Sequence, residues 1–392
     1  MISNRALKVE PSLTLGISSK AKEMKSKGIY VINFSAGEPD FDTPKVIKDS
    51  CKKALDEGKT KYAPVAGIPE LRKAICNEYS KIGLNYDIKN VLVTVGAKEA
   101  LFLAILAIVN SGDEVILPSP YWVSYKEMIN IADGIAVTID SGIEKDFKVS
   151  ASDIEKAITP RTKAIIINSP SNPTGCVYTE SELRDIAKVL EDKNIYIISD
   201  EIYDRLLYDG IKHFSIASAS EKIKEKTILI NGFSKSCSMT GWRLGYALGG
   251  KEIINYMERL QSHSTSGPAT FIEYAAVESF NIDDEIEKMR EEFEKRRDIM
   301  VDGLNNIKGI KSLKPKGAFY CFADIRYYIG KNIDGKLIKS SMDFAELLLE
   351  KAHVAVVPGL AFGIDGYMRL SFATSQEDII EGIKRIKQIV EG

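Results

Sequence analysis

Hydrophobic positions in this chain follow two different periods. Short runs at 90–95, 114–117, 163–168, 195–199, 227–230 and 244–248 are almost continuously apolar and rich in β-branched residues, which predicts strands. Between them, 97–110, 121–132 and 180–192 carry apolar residues three and four positions apart, which predicts helices. Strands without an in–out alternation are buried on both faces. Alternating with helices, they predict an α/β fold around a mainly parallel sheet covered on both sides. Strand order does not follow from alternation alone.

The pattern changes at a charged helical stretch covering about 283–306. Beyond it, 317–325, 354–357 and 368–372 read as strands, and 341–352 and 376–390 as helices. This predicts a large domain at 44–290 and a smaller α+β domain built from 291–392, with the segment 1–43 packed against it. The sequence contains no internal repeat, low-complexity tract or flexible linker.

Composition narrows the function classes. The chain has 392 residues, long enough for two substantial cores, and is 44% hydrophobic and 28% charged, as in ordinary globular proteins. A net charge of −2 offers no basic footprint for nucleic acid or membrane surfaces. No apolar run reaches spanning length, and the N-terminal residues lack a signal pattern. Five cysteines without a C-x-x-C spacing fit reduced thiols in a cytoplasm. Three scattered histidines argue against a metal centre or a histidine triad.

Chemistry concentrates in Ser234-Lys235-Ser236-Cys237-Ser238-Met239-Thr240-Gly241-Trp242-Arg243, just after the strand-like run 227–230. A lysine there can form a Schiff base with a carbonyl cofactor, while hydroxyls and an arginine fork suit a phosphate. Together they describe a pocket for pyridoxal 5'-phosphate. Val93-Thr94-Val95-Gly96-Ala97-Lys98 runs from a strand into a helix, so the first N–H groups can cradle a phosphate; the bland alternative is an ordinary βα turn. There is no G-x-G-x-x-G and no P-loop. Asn172 lies in a turn after one strand, where α/β sheets place ligands. Asp200 and Tyr203 end the next strand, where an acid can pair with a protonated pyridine nitrogen and a phenol can reach a ring oxygen; the alternative for Asp200 is a helix cap. Ser19-x-x-Lys22 lacks the companion elements of penicillin-binding enzymes, and the Ser234 turn lacks the second glycine of a nucleophile elbow.

These pieces, in this order, resemble the class I pyridoxal-phosphate-dependent aminotransferases of fold type I, in their bacterial aspartate aminotransferase branch. The resemblance rests on Ser35-Ala36-Gly37-Glu38-Pro39-Asp40-Phe41-Asp42-Thr43-Pro44, Lys61-Tyr62-Ala63-Pro64-Val65-Ala66-Gly67 and Ser119-Pro120-Tyr121-Trp122-Val123-Ser124-Tyr125. It continues through Asn172-Pro173-Thr174-Gly175, Asp200-Glu201-Ile202-Tyr203, the Lys235 block and Met368-Arg369-Leu370-Ser371-Phe372. The resemblance implies that Lys235 carries the cofactor, Asp200 partners its ring nitrogen, and Asn172 and Tyr203 bond its ring oxygen. Trp122 would stack on the ring. Gly96, Ala97, Ser234 and Arg243 would hold the phosphate, with Lys98 beside them. Arg369 would grip the substrate α-carboxylate, helped by Asn172, Trp122 and the backbone of Gly37. Tyr62 would reach the cofactor phosphate of a neighbouring subunit, which implies a homodimer with shared sites. The resemblance also implies cis peptides at Ser119-Pro120 and Asn172-Pro173.

Ser171 and Glu273 depart from the family's usual asparagine and glutamine. No second arginine matches a clamp for a side-chain carboxylate; Lys98 or the segment 11–14 could serve instead. The expected activity moves an amino group from an L-amino acid, aspartate first, to 2-oxoglutarate. The same pocket could serve a lyase, a decarboxylase, or an aminotransferase for aromatic or other amino acids. A cofactor-sensing transcriptional regulator would precede this domain with a DNA-binding module, for which motifs beginning near Ser35 leave no room.

Overall fold

A computed structural model describes residues 2–11 and 13–392. Its main sheet has seven strands: β1 (Val91–Thr94), β2 (Glu114–Ser119), β3 (Ile135–Asp140), β4 (Thr162–Asn168), β5 (Tyr196–Asp200), β6 (Thr227–Gly232) and β7 (Gly245–Leu248). Their spatial order is β1-β7-β6-β5-β4-β2-β3. The pairs from β6 to β3 are parallel, and β7 alone runs antiparallel, to both β1 and β6. The mainly parallel α/β architecture expected from the pattern is the one observed.

Burial on both faces explains the unbroken apolar runs. Ile166, Ile198 and Ile228 face the helix Ala97–Ile108, whereas Ile165, Ile167 and Ile197 pack against the helix Glu180–Leu190. Each of these strands therefore needs apolar residues at consecutive positions. The edge strand β3 does not, since Ile135, Thr138 and Asp140 are exposed. Its half-polar pattern is why the apolar runs did not include it.

Because β7 is inserted antiparallel, β1 and β6 point the same way, and six of the seven strands end on one side of the sheet. Asn168 at the end of β4 pairs with Asp200 at the end of β5, which in turn pairs with Ile230 of β6. Lys235 follows five residues later. The crevice beyond these strand ends is where open α/β sheets place ligands.

The helix Asp283–Asn305 leads to a four-stranded antiparallel sheet, ordered Val357–Pro358, Tyr367–Ser371, Tyr320–Asp324 and Lys311–Ser312. Phe34, Phe293, Phe319, Phe344 and Phe372 share the core between helix and sheet. Ile32–Asn33 pairs in parallel with Val354–Ala355, which brings the N-terminal segment onto this half. The stretch 341–352 is a helix, Ser341–Leu347, that widens into a π turn over Leu348–Ala352. Among the described residues, no helix is long and apolar enough to cross a membrane.

The proline geometry corrects one expectation. Ser119-Pro120 is cis, but Asn172-Pro173 is trans, and the second cis bond is Ser169-Pro170. The turn that carries Asn172 is closed by hydrogen bonds from the Asn172 N–H to Asn168 Oδ1 (2.8 Å) and from the Gly175 N–H to the Ser171 carbonyl (2.9 Å). These bonds hold Asn172 in place with a trans peptide after it.

Candidate active site

A cavity of about 1390 Å³ opens beyond the strand ends, and Lys235, Asp200, Asn172 and Tyr203 line it together with Trp122 and Arg369. Close packing positions the lysine. A Cβ on Gly232, the last residue of β6, would lie 2.8 Å from Gly245 Cα, so the strands can only approach this closely without side chains there. The following turn is tied by the Cys237 N–H to the Phe233 carbonyl (3.2 Å) and the Met239 N–H to the Ser234 carbonyl (3.3 Å). Lys235 projects from it, and its Nζ donates to the Gly37 carbonyl at 2.5 Å. Burial pushes the Lys235 amine down to about 8; Arg369 and Arg243 act the same way, against Glu38 and Asp200. The amine is thus much closer to its neutral, nucleophilic form at neutral pH than an exposed lysine.

Asp200 is buried at the tip of β5. Its Oδ2 accepts from the Tyr125 hydroxyl at 2.6 Å, and Oδ1 accepts from the Ile202 N–H at 3.2 Å. Burial raises the carboxyl to about 6, with Glu201 adding to it and Tyr125, Ile202 and Lys235 opposing. Turns follow Asp200, not a helix, so the helix-cap alternative falls. Tyr203 shares a 2.9 Å hydroxyl–hydroxyl hydrogen bond with Tyr320.

Arg369, in the strand Tyr367–Ser371, also lines the cavity. Nη1 donates to Asn172 Oδ1 (3.0 Å) and Nη2 to the Ser35 carbonyl (2.8 Å). The guanidinium lies 4.4 Å from the Tyr320 ring centroid and 5.1 Å from that of Phe362. Its Nε–H is buried without an acceptor among the described residues. Such a donor costs free energy unless something accepts from it, and an anionic ligand in the cavity would.

The helix Ala97–Ile108 begins at Gly96, whose φ of +77° favours glycine. A Cβ there would lie 2.6 Å from the Arg243 guanidinium. Arg243 Nη1 donates to the Thr240 carbonyl at 3.0 Å, which aims the fork at the helix start. Ala97, Lys98, Ser234 and Arg243 all line the cavity, as does Gly37. Free first-turn N–H groups, a hydroxyl and two cations form an anion cradle. Lys98 Nζ sits 4.8 Å from the Trp122 ring centroid, and burial lowers its pKa, with Arg243 adding to the effect. Pro11 reaches the cavity, but Ser12 lies outside the described residues.

Of the expected residues, Gly96 does not itself line the cavity, although its neighbours Val95 and Ala97 do, and Tyr62 lies outside it. The Tyr62 side chain is 100% exposed, on a loop tied down by Thr270 Oγ1 donating to the Lys61 carbonyl at 2.6 Å. Glu273 also lies outside the cavity. It is buried, accepts from the Ile68 N–H at 2.8 Å, and is pushed up to about 7 by burial. Sequence reasoning passed over Tyr125 and Tyr320, which line the cavity and bond Asp200 and Tyr203.

These residues fit pyridoxal phosphate: a buried amine of lowered pKa, a buried acid in the same cavity, an anion cradle, and an orphaned arginine donor. The model for "Aminotransferase class I and II" matches residues 29–386. An aspartate aminotransferase of Bacillus sp. (strain YM-2) is 48% identical, with 100% of this chain and 99% of that protein covered. A probable aspartate/prephenate aminotransferase of Aquifex aeolicus (strain VF5) is also 48% identical, over 100% of this chain and 98% of that one. Among solved structures, the aspartate aminotransferase of Rhizobium meliloti superposes with a TM-score of 0.96 at 40% identity, covering 99% of this chain and 98% of that chain. That of Thermus thermophilus with maleate gives 0.94 at 41%, with both chains fully covered. Family, sequence and fold agree along the chain's length: the protein belongs to the class I and II aminotransferases and is a transaminase.

Proposed function

We propose that the protein moves the amino group of L-aspartate to 2-oxoglutarate by a ping-pong mechanism, with pyridoxal 5'-phosphate held on Lys235. The observation that carries this reading is the pairing, across one cavity, of the Lys235 amine with the orphaned Nε–H of Arg369. An amino acid needs both: a carboxylate clamp and, one bond away, a base at its Cα. Relatives named as aspartate aminotransferases support the substrate, as does the neighbour solved with maleate, a four-carbon dicarboxylate.

In this reading Arg369 binds the α-carboxylate, with the Asn172 amide, Trp122 and the Gly37 backbone orienting it. Once the substrate's amine has taken its place on the cofactor, the freed Lys235 Nζ would take the proton from Cα and pass it to the cofactor carbon that bears the nitrogen. When bound, pyridoxal phosphate would supply an electron sink for the pair left on Cα. Asp200, ionised, would hold a proton on the ring nitrogen, while Tyr203 and Asn172 donate to the ring oxygen. Trp122 would cover the ring face. Gly96, Ala97, Ser234 and Arg243 would hold the phosphate, and Lys98 would serve either that phosphate or a second substrate carboxylate. The first half-reaction releases an oxo acid and leaves the amino group on the enzyme; a second oxo acid accepts it.

The exposed Tyr62 supports a homodimer in which this phenol reaches the partner's phosphate site. Residues 44–290 would form the cofactor-binding unit, with 1–43 and 291–392 as the smaller one. Five unpaired cysteines support a cytoplasmic setting. Borohydride reduction of the purified protein, then peptide mapping, should find the cofactor on Lys235; labelling of another lysine would overturn the assignment. With 2-oxoglutarate as acceptor, a donor panel should favour aspartate over alanine and phenylalanine.

A further inference from the structure

We infer that Tyr125 is a positioning residue that keeps Asp200 ionised and turned toward the cofactor's ring nitrogen, an inference that rests on the role proposed for Asp200 above. Tyr125 sits in the first turn of the helix Ser124–Ile131. Its ring meets Trp122 edge to face, with centroids 5.3 Å apart and an interplanar angle of 82°. That contact fixes the direction of the phenol, whose hydroxyl lies 2.6 Å from Asp200 Oδ2. Tyr125 and Asp200 are 1% and 4% exposed, so water does not compete for this bond.

The chemistry of the pair has one direction. An ionised carboxylate has no proton to give, so Tyr125 donates and Asp200 accepts. A hydrogen bond donated to the charged form stabilises that form, opposing the burial that favours the protonated acid. The titratable groups facing Asp200 are Tyr125 from its helix, Glu201 beside it, Tyr203 on the following turn and Lys235 from the β6 turn. Asn168 of the neighbouring β4 bonds only the Asp200 main-chain carbonyl. Glu201 works against ionisation, and Lys235 is the smallest of the influences favouring it. Tyr125 and the Ile202 N–H are then the donors that hold the acid ionised. Oδ2 accepts from the phenol and Oδ1 from the Ile202 N–H, and a carboxylate oxygen has a second lone pair with which to meet a ring N–H.

Tyr125→Phe removes one oxygen and keeps the ring against Trp122. The full-length protein loaded with pyridoxal 5'-phosphate is titrated from pH 5 to 9 while its visible absorption is followed, and the cofactor dissociation constant is measured on dilution. Loss of a hydrogen bond to a charged group should raise that constant about ten-fold or more at pH 7, and more at pH 6 than at pH 8. The acid limb of the spectral titration should move upward by about one to two pH units. In an Asp200→Asn background, Tyr125→Phe should add almost nothing, because the group it serves is gone. A loss equal at all pH values, or one undiminished beside Asp200→Asn, would show a packing role and overturn the inference. If Asp200→Asn itself leaves affinity and spectrum unchanged, the role of Asp200 fails and takes this inference with it. If Asp200→Asn weakens binding while Tyr125→Phe leaves both readouts untouched, the inference fails alone.

Discussion

Replacing Arg369 by lysine tests the heart of the proposed mechanism. The guanidinium uses Nη1 on Asn172 Oδ1 and Nη2 on the Ser35 carbonyl, keeping the buried Nε–H free for a ligand. The Tyr320 and Phe362 rings pack close to it, with centroids 4.4 and 5.1 Å away. A lysine brings one nitrogen to the same space and cannot satisfy both protein acceptors and a carboxylate in a fixed fork. At least one charge-assisted hydrogen bond is lost, worth about 1.5–3 kcal/mol. At 1.36 kcal/mol per decade, kcat/KM should fall about 10- to 150-fold. Every amino acid has an α-carboxylate, so aspartate, glutamate, alanine and phenylalanine should lose activity in the same proportion, to within about three-fold. Steady-state kinetics with each donor measures this, and visible absorption and Tm check that the variant is folded and loaded. A loss confined to the dicarboxylic donors would place the α-carboxylate elsewhere. So would a uniform loss below about three-fold.

Lys98→Ala should do the opposite, weakening aspartate and glutamate about ten-fold while sparing alanine and phenylalanine, because only diacids would lose a contact; equal losses for all four donors would return Lys98 to the phosphate alone. Asp209→Asn addresses stability. Arg297, above all, and Lys316 hold the Asp209 carboxyl well below the usual carboxylate range, and Arg297 is fully buried. A depressed folded-state pKa stabilises above the unfolded value near 3.9 and is lost as pH falls further. Asp209 is itself 31% exposed, so solvent screens part of the pair, and the substitution should cost about 1–3 kcal/mol at pH 7. Urea midpoints of wild type and variant should converge between pH 4 and 2; a constant gap would remove Asp209 from the acid limb.

What could be read from the chain, and what could not, divides along a physical line. Continuous apolar runs announce strands buried on both faces, and those at Ile165–Ile167 and Ile228–Ile230 are buried as that pattern requires. β3 escaped because an edge strand shows half its side chains to water, and Thr138 and Asp140 break its run. The place of β7, antiparallel between β1 and β6, is a matter of sheet pairing that no local pattern encodes. The family resemblance brought Lys235, Asp200, Asn172 and Arg369 into one expected site, and the cavity holds them together, though the cis bond expected after Asn172 lies before Pro170 instead.

Tyr125 and Tyr320 show why a site read from motifs stays incomplete. Nothing at position 125 marks its phenol as different from the others in the chain. Its importance comes from β2 ending beside β4, and β4 beside β5, so that the first turn of the helix Ser124–Ile131 faces the tip of β5. A residue that touches the cofactor has its chemistry written in its own side chain. A residue that sets the charge of such a group owes its role to the register of three strands, and only the folded chain brings Tyr125 within 2.6 Å of Asp200.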